Sequence, residues 1–405
     1  MFIILTFAIS GCNLSKKTFT YAEVEMPIGI WVGPPDKYVS VESYQDIKNI
    51  GVTWLPSNVT SNEEIMKALD FAQAAGLKYL VADSSICYMT PEFLDGMGEF
   101  IDVYKDHPAY MGNFIWDEPA GNTLEKYGAI SRKFKELQPD KLAYVNIYPT
   151  YSDITQRGGM SYLEYLDKYI AEMKPDVISY DHYPFIEIKD GSIGEISEDY
   201  FYNLEIISDK AREVNKPFWL FIQTLSYTNH RSPSEEEMRW QINTSLAYGC
   251  KGLQYFTYWW PGNSENFGLP LIDGDGNKTP KYDQVKRLNT ELKNYDDVLM
   301  SLDHKGVMYF MPEDQKPYIE NELQSFELIK SVLGDPVIIG CFEGAEGYKA
   351  LYVCNNSYKT TSETTINFSK STKGYQFDKN GKSEVAGKNI KLTLEPGQGI
   401  LLVLK

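Results

Sequence analysis

From residue 27 onward, short apolar runs alternate with stretches whose apolar residues recur at helical spacing. The runs are Pro27–Val32, Val52–Pro56, Lys78–Ala82, Tyr110–Trp116, Leu142–Ile147, Asp176–Tyr180, Phe218–Gln223 and Gly252–Tyr258. They are rich in β-branched and aromatic residues and nearly continuous in apolar character, as expected of strands buried on both faces. Between them lie amphipathic stretches of helical length. Asn62–Ala75 has apolar residues at Ile65, Leu69, Phe71 and Ala72 and stops at Gly76. Pro91–Tyr104, Leu124–Leu137, Tyr162–Met173, Asn203–Val214 and Glu235–Tyr248 read the same way. Ser61, Thr90, Ser161 and Ser234 stand where N-caps belong, and Pro91 suits a first helical position. Eight such alternations over roughly 275 residues predict an α/β fold, a (β/α)8 TIM barrel. A doubly wound open sheet would carry a Gly-rich phosphate turn after its first strand, whereas this chain has Gly33-Pro34-Pro35-Asp36 there.

After about residue 302 the pattern changes. A short helical period near Tyr318–Leu333 is the only one, and the rest reads as short strands: Pro336–Phe342, Tyr348–Asn355, Thr364–Phe368, Gly374–Phe377, Asn389–Leu394 and Gly399–Lys405. Turns such as Asp378-Lys-Asn-Gly381 and Glu395-Pro-Gly-Gln398 separate them, which predicts a small C-terminal antiparallel β-sandwich. The domain reading is a leader and polar tether over 1–24, the barrel over 25–302, and the sandwich over 303–405. The leader reads MFIILTFAISGC, an apolar run too short to span a bilayer, ending in small residues before Cys12. Ile9-Ser10-Gly11-Cys12 resembles a bacterial lipobox, which implies lipidation of Cys12 and an exported cell-envelope lipoprotein. The membrane would then be a partner only through this anchor, since no later stretch has the length and apolarity of a spanning helix.

Composition narrows the partners. The 405 residues hold 39 Lys+Arg against 56 Asp+Glu, a net charge of −17, which argues against a nucleic-acid binder. Thirty Tyr, 19 Phe and 7 Trp suit an uncharged polar ligand with apolar faces, such as a sugar. Five Cys without a CxxC pair, together with four His, give no zinc pattern, and no metal or other cofactor is expected. Asp273-Gly-Asp-Gly-Asn277 lacks the closing Glu of a calcium loop and reads as a turn.

In a barrel, ligands bind at the C-terminal ends of the strands. Those ends carry Trp116-Asp117-Glu118-Pro119, Asn146-Ile147-Tyr148, Asp181-His182-Tyr183, Gln223 and Trp259-Trp260, with no Lys or Arg among them. Aromatic faces stack on the C–H face of a sugar, while amides, acids and His bond its hydroxyls. A carboxyl group at Glu118, walled by aromatics, would have its pKa raised and could protonate a leaving glycosidic oxygen.

On these residues the barrel resembles the glycoside hydrolases of clan A and is distantly similar to families 5 and 42. In that clan the strand-four acid/base is a Glu, usually preceded by Asn, and the matching pair here is Asp117-Glu118. The passage SLAYGCKGLQYFTYWW, Ser245 to Trp260, resembles the last helix-to-strand segment of those enzymes. There a strand-eight Trp floors the sugar subsite, a part Trp259 or Trp260 would play. The clan's nucleophile is a strand-seven Glu, and the matching position is Gln223, whose amide cannot act as that carboxylate. The expectation is therefore a glycoside hydrolase with Glu118 as general acid and Asp181 as the base of an inverting pair. Trp116, Asp117, Asn146, Tyr148, His182, Tyr183, Gln223, Trp259 and Trp260 would bind substrate. Substrate assistance oriented by Gln223 or Tyr183 is a further route. A non-catalytic glycan-binding lipoprotein is the rival reading, and a structural relic of the barrel is a third.

Overall fold

The computed structural model describes residues 24–57, 61–187 and 196–405. Cys12 and its lipobox lie outside them. Eight parallel strands close a barrel in chain order: β1 Ile28–Ile30, β2 Trp54–Pro56, β3 Lys78–Val81, β4 Tyr110–Asp117, β5 Leu142–Ile147, β6 Ile178–Asp181, β7 Phe218–Gln223 and β8 Leu253–Phe256. β1 pairs with both β2 and β8, which completes the ring. The helices are α1 Val41–Asn49, α2 Asn62–Ala75, α3 Ser84–Cys87, α4 Met97–Ile101, α5 Leu124–Leu137, α6 Tyr162–Met173, α7 Tyr200–Glu213, α8 Glu235–Ala247, α9 Pro280–Leu292 and α10 Asp296–Met300. The (β/α)8 barrel is therefore present as the periodicity implies.

Local chemistry sets the helix starts. Ser61, Ser161 and Ser234 each close a capping box, with Glu64, Glu164 and Glu237. Thr90 caps nothing, and the single helix expected over Pro91–Tyr104 divides into a 3-10 turn at Pro91–Gly96 followed by the short α4. Gly96 sits where the two meet, and its backbone freedom disfavours a continuous helix. Among the described residues no helix is long and apolar enough to cross a membrane.

The C-terminal part is antiparallel: β9 Asp303–Phe310, β10 Ile329–Gly334, β11 Val337–Glu343, β12 Lys349–Asn355, β13 Ser362–Asp378, β14 Gly381–Leu394 and β15 Gly399–Leu404. Their order is β10-β13-β15-β12-β11-β9, with β14 on β13. The helical stretch expected at Tyr318–Leu333 is absent. Ile329–Gly334 is instead a strand paired with β13, because tertiary pairing overrides a weak local period. The long β13–β14 hairpin folds the sheet over itself into a sandwich-like pair of layers. Its first half pairs β10 and its second half pairs β15.

Period-two alternation then gives this sheet two apolar faces. Val337, Ile339, Cys341, Leu351, Val353 and Leu402 join Ile366, Phe368 and Leu392 in the core between the layers. Ile338, Phe342, Ala350, Tyr352, Leu401 and Val403 instead join the barrel's own core. Helix α8 lies between barrel and sheet, so it is buried from Glu237 to Ala247 at every residue but Arg239. Trp240 Nε1 donates to Asn356 O at 3.1 Å, and Asn243 Nδ2 to Gly397 O at 2.8 Å. The four described cysteines are buried free thiols.

Candidate functional site

The barrel interior is filled by Trp54, Leu80, Tyr144 and Trp219, with Trp31 and Phe114 packed above them. On this plug stands a polar chain. Tyr144 OH donates to Gln254 Oε1 (2.6 Å) and lies 2.8 Å from Ser179 Oγ, which also receives Gln254 Nε2 (2.9 Å). Ser179 Oγ donates to Asn146 Oδ1 at 3.0 Å, and Asn146 Nδ2 donates to Asp181 Oδ1 at 2.8 Å. Tyr144, Asn146, Ser179 and Asp181 point inward because they sit two residues apart on β5 and β6. The chain ends on Asp181, so the amide of Asn146 fixes that carboxylate at the mouth.

Strand β4 reaches the same place by a different device. Its pairing with β5 runs Phe114↔Tyr144, then Trp116↔Val145 and Asp117↔Asn146, so Ile115 is an extra residue. Such a bulge exchanges the two faces for every residue beyond it. Trp116 is turned outward, where its ring stacks on Tyr127 of α5 at 4.6 Å between centroids, with Tyr88 edge-on at 5.4 Å. The substrate-stacking role expected of Trp116 is corrected accordingly. Asp117 is turned inward beside Asn146. Glu118 follows with φ of 47°, a left-handed conformation held by its N–H bond to Asn146 O (2.8 Å). Strict alternation would put Asp117 and Glu118 on opposite sides. The bulge and the left-handed residue bring both to Asp181.

Three carboxyl groups thus share one poorly hydrated place. Burial raises Asp117 to about 6, and its Oδ1 is buried without a hydrogen bond among the described residues. Burial, then the charge of Asp117, raises Asp181, opposed by the Asn146 amide. Glu118 is raised furthest, by burial first, then by Asp181, Asp117 and Glu265. Among the described residues no Lys or Arg acts on any of the three. At the same mouth, over the ends of β1, β2, β3 and β8, opens a cavity of about 470 Å3 lined by Trp31, Pro56, Ala82, Phe114, Trp259 and Trp260 but by none of the three carboxyl groups. Trp259 and Trp260 lie beyond the end of β8. The ring of Trp259 packs on Tyr38 at 4.7 Å, and Trp260 Nε1 donates to Phe267 O at 3.2 Å.

Tyr148 keeps its hydroxyl close to these acids, and Tyr183 lies over the mouth against Phe256 at 4.9 Å. Two other expected contacts do not reach it. His182 has no exposure; its Nδ1 lies 2.9 Å from Asn203 Oδ1 on α7, and its Nε2 lies 3.2 Å from Ser197 Oγ. Burial pulls its pKa below the ordinary imidazole value, opposed by the Asp199 carboxylate and the bond to Asn203. Gln223 is equally buried, and its amide is committed to backbone. Nε2 donates to Arg231 O (2.7 Å), Leu225 O (3.3 Å) and Phe185 O (3.4 Å), while Oε1 accepts from Phe185 N (3.1 Å). His182 and Gln223 therefore fasten loops and are withdrawn as substrate contacts. Asp273 closes an Asx turn, accepting from Asp275 N and Asn277 N.

The structure adds residues that strand ends do not reveal. Tyr227 and Tyr151, from the loops after β7 and β5, turn their hydroxyls toward Asp181 and Glu118. Tyr227 stacks on His230 at 4.4 Å, and this pair walls the mouth with Tyr183 and Phe256. Glu265, beyond β8, is an exposed carboxylate that bears on Glu118. All three lie in loops, where spacing along the chain carries no geometric information.

A family model for glycoside hydrolase family 42, described as β-galactosidase, matches residues 102–295. A solved β-galactosidase from the psychrophilic Marinomonas ef1 superposes with a TM-score of 0.51 at 12% identity, over 68% of this chain and 62% of its own. This chain thus spans less than two thirds of that enzyme's length. A Bacteroides fragilis NCTC 9343 protein provisionally assigned as an α-galactosidase superposes with a TM-score of 0.52 at 9% identity, over 95% of this chain and 80% of its own. None of the curated proteins matches the chain. The barrel is a clan A-like (β/α)8 glycoside hydrolase fold related to family 42.

Proposed function

We propose that the chain hydrolyses a glycosidic bond in a neutral oligo- or polysaccharide, with Glu118 as general acid and Asp181 as general base. The observation that carries this reading is the gathering of Asp117, Glu118 and Asp181, with no cation among the described residues acting on them, at the barrel mouth that also holds the aromatic cavity of Trp31, Trp259 and Trp260. Of the three, Glu118 is raised furthest, so it keeps its proton when Asp181 has released its own. Glu118 would give that proton to the glycosidic oxygen as the C–O bond breaks. A water, losing its proton to Asp181, would attack the anomeric carbon from the opposite face. Asn146 holds Asp181 in position, and Tyr148, Tyr183, Trp259 and Trp260 contact the sugar. That no Lys or Arg among the described residues acts on these acids favours neutral over phosphorylated or uronic substrates.

The test is a glycan panel scored for both binding and release of reducing ends, with the anomer of the first product read by NMR. Cleavage with inversion, lost in Glu118→Gln while binding survives, is the expected result. A Glu118→Gln variant that cleaves at the wild-type rate would end the acid assignment. One observation favours the non-catalytic reading: Gln223 replaces the strand-seven acid and is bonded only to backbone. Binding without cleavage across the panel would select it. We further propose export and lipidation at Cys12, on the sequence alone. Labelling by a fatty-acid analogue, lost in Cys12→Ser, is its test.

A further inference from the structure

A larger cavity, about 600 Å3, opens at the opposite end of the barrel, where the start of β7 and the turn before β8 meet β9. Its lining is cationic. Arg212, Lys216, Lys251 and Lys305 bring four positive charges to it, against the single negative charge of Asp303. Arg212 is paired with Asp209, and Lys305 with Glu343 at 3.1 Å. The other two are freer. Lys251 Nζ, deep in the pocket, donates only to carbonyls, those of Leu299 and Leu302, the latter at 2.7 Å. Lys216 is exposed and makes no ion pair among the described residues.

His304 completes the lining. Ser208 Oγ donates its hydrogen to Tyr248 O (2.7 Å), so it must accept from His304 Nδ1 at 3.2 Å. That fixes the ring proton on Nδ1 and leaves Nε2 buried without a partner among the described residues. The electrostatics agree with the geometry. Burial, then Arg212 and Lys251, lowers His304 to about 3, and burial lowers Lys251 to about 8. Asp303 offsets part of the effect of burial on Lys251, and no carboxylate among the described residues does so for His304.

We propose that this cavity binds a ligand bearing a phosphoryl or sulfuryl group. A carboxylate presents two coplanar oxygens, whereas a tetrahedral phosphoryl or sulfuryl group directs its oxygens to donors on several sides at once, as Lys216 and Lys251, the two lining cations without an ion pair to a carboxylate among the described residues, require. The volume exceeds a bare ion and falls in the range of small-molecule sites, so the group would arrive on a larger body. The inference is independent of the glycosidase reading, which concerns the other end of the barrel.

The test uses the full chain at constant ionic strength set with sodium chloride. Calorimetry and thermal unfolding are read against inorganic phosphate and against sulfate. Co-sedimentation is read with phosphatidylglycerol–phosphatidylcholine vesicles against pure phosphatidylcholine. Saturable binding of phosphate or sulfate, weakened roughly tenfold or more in Lys216→Glu and in Lys251→Met, is the expected result. Vesicle binding alone, with the same loss in both variants, assigns the group to a lipid headgroup. Lys216→Glu changes an exposed residue and keeps the test decisive if Lys251→Met unfolds. No saturable binding in any arm, or binding that Lys216→Glu leaves unchanged, overturns the proposal.

Discussion

Replacing Gln223 by Glu separates a reading of the chain by alignment from a reading by structure. By alignment, the change restores the carboxylate of a retaining glycosidase. By structure, it places an acceptor against acceptors. The amide Nε2 shares two protons among the carbonyls of Arg231, Leu225 and Phe185, at 2.7, 3.3 and 3.4 Å. A carboxylate donates none. Losing two net hydrogen bonds costs about 1 kcal/mol each, and leaving buried carbonyls unpaired adds about 1–3 kcal/mol, so the change should destabilise by about 3–5 kcal/mol. The penalty carries a pH signature. A buried carboxyl stays protonated, so its folded pKa lies above its unfolded one. Its neutral form is stable below the unfolded pKa, and that stability is lost as pH rises through the folded value. Gln223→Glu should therefore lose more stability at pH 8 than at pH 5. The assay is urea unfolding followed by circular dichroism, with the midpoint and slope fitted separately. A variant within about 0.5 kcal/mol of the parent at both pH values would refute the reasoning.

The same sign governs the site itself. Asp117→Asn should stabilise the protein by about 1–3 kcal/mol at pH 8 and by little at pH 4, because the parent carboxyl is raised to about 6 by burial; parallel urea curves at the two pH values check this. If the chain hydrolyses glycosides, the alkaline limb of kcat/KM reports Glu118 and lies above the ordinary carboxylate range. Asp117→Asn should move that limb to lower pH by removing a neighbouring negative charge, which a pH–rate profile reads directly. Asn146→Ala frees Asp181 of its amide donor, so Asp181 should titrate higher and the acid limb should move up in the same profile. Gly340→Ala drives a methyl group into the carbonyl of Ala247 where β11 meets α8. It should cost about 1–3 kcal/mol, and calorimetry should show the C-terminal sheet separating from the barrel transition.

The chain's own pattern determines most of the architecture. Continuous apolar runs of four to eight residues, rich in β-branched and aromatic residues, read as strands covered on both faces, and serine caps with glutamate three residues on define where α2, α6 and α8 begin. The strand ends carrying Asp117, Glu118, Asn146 and Asp181 follow from that count, because a barrel gathers all its strand ends at one mouth. What remained hidden depends on partners distant in sequence. The bulge at Ile115 is a relation between β4 and β5 rather than a property of either strand. It decides that Trp116 faces α5 while Asp117 faces Asp181. The environment of Gln223 and His182 is set by loop backbone and by α7, so a residue type suited to a sugar hydroxyl serves as a structural fastener. Helix α8, read as amphipathic like its neighbours, in fact shows no clear apolar stripe because two layers cover it, and the cationic cavity unites residues from α7, β9 and the turn before β8. Local periodicity encodes which elements form. Register, strand bulges and the charge around a buried group arise only when separate elements meet, because each is a property of the contact.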